Sequence, residues 1–134
     1  MQTLPAAIAV GTGRSAEEQA ATFLRRERGF RIVARNWRNP RDRREEIDLV
    51  GRDGEVLVFV EVKARSAGAR VPGYYAVDSG KKRVLRRVCR AYLGCLRGRP
   101  RIFRFDVVEI ELTAGGPIIR HFQNIPLFSK SFRG

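Results

Sequence analysis

An Asp-Gly pair set between two apolar, alternating runs limits this chain more than any other feature. Residues 45–65 read EEIDLVGRDGEVLVFVEVKAR. Asp-Gly between runs rich in β-branched and aromatic residues is a strong signal for a two-residue hairpin turn. Taking Asp53 and Gly54 as the turn sets Arg52 opposite Glu55, Asp48 opposite Phe59 and Glu46 opposite Glu61. Strand side chains alternate between sheet faces. Glu46, Asp48, Glu61 and Lys63 then share one face, and Ile47, Leu49, Val58, Val60 and Val62 share the other. Asp48 and Glu61 become diagonal neighbours, about 7 Å apart.

Like charges placed together destabilise a sheet unless an opposite charge lies between them. Lys63 is one such charge. A divalent cation, Mg²⁺ or Mn²⁺, is another, because hard ions take carboxylate oxygens and keep several waters. A cation there polarises a phosphoryl oxygen and makes water a better nucleophile near neutral pH, with Lys63 placed to orient that water or to steady developing charge. The plainer alternative is a set of cross-strand ion pairs, Lys63 with Glu61 or Arg65 with Glu45, on a solvated edge. Residue types and spacing leave both open.

A third carboxylate precedes the hairpin. Ser15-Ala16-Glu17-Glu18 fits a capping box, with Ser15 as N-cap of a helix that runs to about Arg28 and ends at Gly29. Glu17 aligns with Ala20, Ala21 and Leu24 on the inward face, where it either joins the acidic group of the sheet or sits at the helix edge against an arginine. FRIVARNW (30–37) reads as a strand, RNPRDRR (38–44) as a basic loop, and residues 65–79 as a connection. Val84, Leu85, Val88, Tyr92, Cys95 and Leu96 recur at helical spacing within a helix over 80–96. IFRFDVVEIEL (102–112) and PIIRHF (117–122) flank a Gly-Gly turn as the last two strands. The order is α-β-β-β-α-β-β, an α/β fold with a mixed central sheet of about five strands flanked by helices. The expected divisions are a flexible arm over 1–14, one domain over 15–127 and a loose tail over 128–134.

Charge narrows the partners. The 134 residues carry 27 Lys and Arg against 14 Asp and Glu, a formal net charge of +13. A domain this basic attracts polyanions, nucleic acid before an anionic membrane surface. The sequence lacks a stretch long and apolar enough to span a membrane, and its opening run is too short for a signal peptide. Cys89 and Cys95 are separated by roughly 600° of helical rotation and cannot pair, so both read as small buried hydrophobes of a reducing cytoplasm. Arg38, Arg41, Arg43, Arg44, Arg65, Lys81, Lys82 and Arg86 form the expected backbone clamp, without sequence preference. Trp37 suits the core better than base stacking, whereas Tyr74-Tyr75 suits a substrate contact. Asp106 reads as a buried partner of an arginine, and His121 as structural.

GRSAEEQAATFLRRERGFRIVARNWR, EEIDLVGRDGEVLVFVEVKARS, VDSGKKRVLRRVCRAYL and RFDVVEI resemble, in this order, the YraN family. That family looks like part of the PD-(D/E)xK, restriction-endonuclease-like superfamily, to which archaeal Holliday-junction resolvases are similar. The resemblance implies a restriction-endonuclease-like fold. It implies a Mg²⁺- or Mn²⁺-dependent endonuclease acting on nucleic acid, DNA before RNA and branched or junction DNA among its substrates, and leaves room for a homodimer as in resolvase-like relatives. By resemblance the catalytic aspartate falls on Asp48, the E-x-K pair on Glu61 and Lys63, and the helix glutamate on Glu17, with Asp48, Glu61 and Glu17 as metal ligands. Lys81 matches a family lysine at the start of the second helix. Glu45 and Ala16 stand where the family usually has glycine, and Glu45 adds negative charge beside the site. A member that keeps the fold without turnover is a nucleic-acid-binding module.

Overall fold

The computed structural model describes residues 2–3, 13–66, 79–98 and 100–128. Two helices and five long strands follow the order read from the sequence: α1 (Gly13–Arg28), β2 (Arg31–Asn39), β3 (Asp42–Asp53), β4 (Val56–Ser66), α2 (Ser79–Gly94), β5 (Ile102–Thr113) and β6 (Gly116–Phe122). A two-residue strand, β1 (Gln2–Thr3), pairs with β6 at one edge. The sheet order is β1-β6-β5-β4-β3-β2. All neighbours are antiparallel except β4 and β5, which run parallel with α2 in the crossover between them.

Each helix buries one stripe. α1 covers one face through Ala16, Ala20, Ala21, Phe23 and Leu24, packed on Leu49, Val58, Val60, Val108, Ile110 and Ile119. α2 covers the other through Leu85, Val88, Cys89, Tyr92 and Leu93, packed on Ile47, Val50, Leu57, Phe59, Phe105 and Val107. Both stripes repeat at three and four residues, as one helical face requires. Gly29 leaves α1 at φ 71°, a conformation cheap only for glycine, and the Phe30 amide turns back to the Leu24 carbonyl. Helix α1 begins at Gly13, so Ser15 lies inside its first turn and not at the N-cap.

The hairpin register differs from the count made with Asp53 and Gly54 in the turn. Asp53 pairs with Val56, and Gly54-Glu55 make the turn, with Gly54 at φ 61°. Glycine with positive φ at the first of two turn positions is the type II′ arrangement, so Asp53 remains in the strand. The pairs become Arg52↔Leu57 and Leu49↔Val60. Each sum of paired numbers rises by two, so face assignments away from the site survive. At Asp48 they do not: Ile47 and Val50 pack on the α2 side while Leu49 packs on the α1 side. Ile47 is therefore not on the face of Leu49, Val58 and Val60.

Residues 38–44 are not a loop. Only Pro40 and Arg41 turn, between Asn39 and Asp42, and the Asn39 and Asp42 side chains accept the amides of Arg41 and Arg44. Such Asx bonds let a short polar stretch reverse direction tightly. Cys89 is buried, but Cys95 is exposed because α2 stops at Gly94. Phe128, expected in a loose tail, packs edge-on against Phe103 at 5.0 Å and Phe59 at 6.1 Å. Trp37 meets Tyr92 edge-on at 5.2 Å and belongs to the core. Asp106 is fully buried against Arg104 and His121. Among the described residues no helix is long and apolar enough to cross a membrane.

Candidate active site

Strands β3 and β4 stay paired from the turn to Leu49↔Val60 and then separate. β3 continues against β2 through Trp37↔Ile47 and Arg38↔Glu46, while β4 continues against β5 as far as Ser66↔Leu112. The parting strands open a cleft of about 460 Å³, lined also by Ala16 and Glu17 of α1 and by Gly80, Lys81, Val84 and Leu85 of α2. The Val62 amide on the β3 side loses its strand partner there and donates instead to the Asp48 carboxylate at 2.8 Å. A buried N–H needs an acceptor, and this bond fixes the aspartate at the fork.

Carboxylates gather at that point. One oxygen each from Glu17, Glu46 and Asp48 lies within 4.8 Å of the others, all three residues half-buried. Asn36 donates to Glu17 at 2.6 Å. Glu61 lies almost wholly buried on the α2 side, and one of its oxygens takes both Lys63 at 3.0 Å and Lys81 at 2.8 Å.

Burial, then the charge of Glu61, pushes the Asp48 carboxyl up to about 8. Burial also acts against ionisation of Glu61, but the hydrogen bonds and charges of Lys81 and Lys63 outweigh it and hold this carboxyl below its ordinary value. In the protein without a cation, Asp48 therefore keeps a proton near neutral pH. Three oxygen donors, one of them protonated chiefly by burial, are a set that a hard divalent cation could take up by displacing that proton.

A stability consequence follows by linkage. Between about pH 4 and 8 the folded chain holds a proton on Asp48 that the unfolded chain has released, so stability in chelator falls as pH rises through this window. Asp48→Asn removes the dependence and makes the protein more stable than wild type above pH 8, by roughly 1–3 kcal/mol. Urea unfolding in EDTA at pH 5 and pH 9 checks this, and a wild type equally stable at both would contradict it.

The relatives agree on what kind of chain this is. Residues 16–110 match the model of a family described as uncharacterised protein family UPF0102. The chain is 41% identical over 119 residues to a UPF0102 protein of Koribacter versatilis, covering 88% of this chain and 80% of the relative. It is 50% identical over 101 residues to one from Symbiobacterium thermophilum (74% of this chain, 80% of the relative). An Anaeromyxobacter dehalogenans protein is 46% identical over 111 residues (82% and 79%). The chain belongs to the UPF0102 family. This is the YraN family whose resemblance the motifs carried.

In this UPF0102 chain Glu17, Asp48, Glu61 and Lys63 all line one cleft. Of the three expected ligands, Glu17 and Asp48 fall in the acidic group, whereas Glu61 is turned onto two lysines and Glu46 completes the group. Hairpin alternation had put Glu46 beside Asp48, and that was the signal for it. Lys81, expected in the backbone clamp, pairs with Glu61, 20 residues away in sequence.

The basic residues divide. Arg41, Arg43 and Arg44 are exposed at the β2–β3 turn, Arg44 on Asp42. Arg38 pairs with Glu46 at 3.2 Å. Lys82 is half-buried on α2, and Arg86 donates to the Leu127 carbonyl. Arg65 is directed at Glu109, 3.1 Å away and only 17% exposed, which makes it a sheet ion pair more than a surface clamp. Glu45 pairs with Arg87 of α2 and accepts from Asn39, so its charge is neutralised outside the cleft. The Tyr74-Tyr75 pair lies outside the described residues.

Proposed function

We propose that this chain is a divalent-metal-dependent endonuclease that hydrolyses phosphodiester bonds in DNA, with branched or junction DNA as its substrate class. The observation that carries the reading is the meeting of Glu17, Glu46 and Asp48 within 4.8 Å, in a cleft shared with Glu61, Lys63 and Lys81. The net charge of +13 supplies the attraction for a polyanion. Glu17, Glu46 and Asp48 would hold Mg²⁺ or Mn²⁺, which supplies Lewis-acid polarisation of a phosphoryl oxygen. The ammonium of Lys63 sits beside that group, tied to Glu61, where it orients water and offsets negative charge gathering on phosphorus oxygens. Arg41, Arg43 and Lys82 approach the backbone from the rim. Cutting both strands at a junction takes two such clefts, which a homodimer provides. The unpaired cysteines suit work in a reducing cytoplasm.

A nucleic-acid-binding module without turnover is the second reading. It is favoured by the double pairing of Glu61 with Lys63 and Lys81, which occupies a carboxylate the hydrolytic site would use. One experiment separates the two. Purified protein is offered linear, nicked, flapped and four-way DNA, and the matching RNA, with Mn²⁺, Mg²⁺ or EDTA. Cleavage of a DNA topology with metal and none in EDTA supports the endonuclease. Salt-sensitive binding indifferent to EDTA, with every substrate intact, selects the binding module.

A further inference from the structure

Among the described residues only Asn36 and Asn124 combine a side chain with positive φ, and Asn36, at 50°, lies inside a strand. It falls between Arg35↔Leu49 and Trp37↔Ile47, directly across from Asp48. Alternation along β2 slips at the same place: Ala34 and Trp37, an odd number of residues apart, both pack on the α2 side. The slip turns the Asn36 side chain toward α1, where its amide donates to Glu17 at 2.6 Å across 19 residues of sequence.

Two demands meet at position 36. Left-handed backbone is tolerated by glycine, asparagine and aspartate and by few other residues. A donor to a carboxylate excludes glycine, which has no side chain, and aspartate, which brings a second negative charge. Asparagine meets both demands. The bond is exposed, and an exposed amide–carboxylate bond adds little to folding. What it does fix is the position of an oxygen belonging to the acidic group.

We propose that Asn36 is a positioning residue of the cleft: it orients Glu17 toward Glu46 and Asp48 so that the three carboxylates can share one cation. This rests on the metal-dependent reading, and the test keeps the two apart. Mn²⁺ binding to the full chain is measured by electron paramagnetic resonance for wild type, Asn36→Gly and Asn36→Asp. Asn36→Gly keeps the backbone conformation without strain, so its melting temperature in EDTA stays at or above that of wild type. Its Mn²⁺ affinity falls about 10-fold or more, the range for removing a group that orients a metal ligand. Asn36→Asp, with a carboxylate facing Glu17, also loses affinity. In a Glu17→Gln background the Asn36→Gly change has no further effect on binding. Wild-type affinity in a folded Asn36→Gly protein would overturn the proposal. If wild type itself takes up no Mn²⁺, the metal-dependent reading fails and the proposal falls with it, an outcome distinct from wild-type affinity in the folded Asn36→Gly protein.

Discussion

On the endonuclease reading, the expected result is that Asp48→Ala ends Mn²⁺-dependent cleavage and Lys63→Ala slows it severely, with DNA still bound by both. Asp48 stands at the fork where β3 and β4 part, anchored by the Val62 amide and facing Glu17 and Glu46. Alanine there removes an oxygen donor from the acidic group and frees a backbone N–H, so on this reading cation binding and rate would be lost together. Lys63 is only 23% exposed and is held 3.0 Å from Glu61, an arrangement that gives its ammonium one place to point. Removing a charge-stabilising or proton-transferring group from a preorganised site costs about 10²–10⁴ in rate. The expected loss for Lys63→Ala lies in that range with Mn²⁺ binding retained. Arg43→Ala, on the exposed rim, weakens binding at moderate salt and flattens the salt dependence without touching the bound-state rate. Single-turnover cleavage at saturating protein makes the comparison, and a Lys63→Ala protein cutting at the wild-type rate would sink the assignment of this lysine.

Asp106→Ala destabilises the fold by about 3–5 kcal/mol, the cost of removing one partner from a buried ionic network. Asp106 is wholly buried and accepts from Arg104 at 2.9 Å, from the Asn124 amide at 2.9 Å and lies 2.7 Å from His121 Nε2. Arg104 also reaches Asp53 at 3.1 Å, so the network ties β5 to the end of β3 beside the hairpin turn. Burial resists ionisation of Asp106, but the bonds from His121, Arg104 and Asn124 prevail and its carboxyl is held below the ordinary value. A depressed carboxyl contributes stability that is present above its unfolded value near pH 4 and is lost as pH falls through the folded one. The slope is opposite to that of Asp48, and Asp106→Ala removes it. Chemical denaturation from pH 3 to 7 reads both effects, and a loss under 1 kcal/mol would mean that the network is not holding the strands.

The elements were legible because local chemistry repeats within a few residues: Gly29 ends a helix, Asp53-Gly54 marks a hairpin, and three-and-four spacing marks α2. The partnership of Asp106 with an arginine followed from the two-residue separation of Arg104 and Asp106 on one strand. The site was legible in membership and not in arrangement. Period-two counting assumes regular pleating at every position, and alternation slips on β3 at Asp48 as it does on β2 at Asn36 opposite, so Ile47 and Leu49 fall on different faces. A type II′ turn in place of Asp-Gly as the two turn residues moved the register. Ion pairs that span 20 residues, as between Glu61 and Lys81, or 42, as between Glu45 and Arg87, depend on where α2 crosses the sheet. No local pattern encodes that.

The parallel pairing of β4 with β5 has a consequence for how the protein is made. Glu17, Glu46, Asp48, Glu61 and Lys63 have all been synthesised by the time Ser66 is added, yet the strand that β4 lies against begins only at Ile102. Non-local strand pairing must wait for the intervening chain and is slow compared with hairpin closure. A nascent chain halted between these points carries the acidic groups without the buttress of β5, and one halted before residue 81 lacks Lys81 as well. On the proposed function, hydrolytic competence would arrive only with completion of the second half, which would keep a half-made product harmless to the nucleic acids around it.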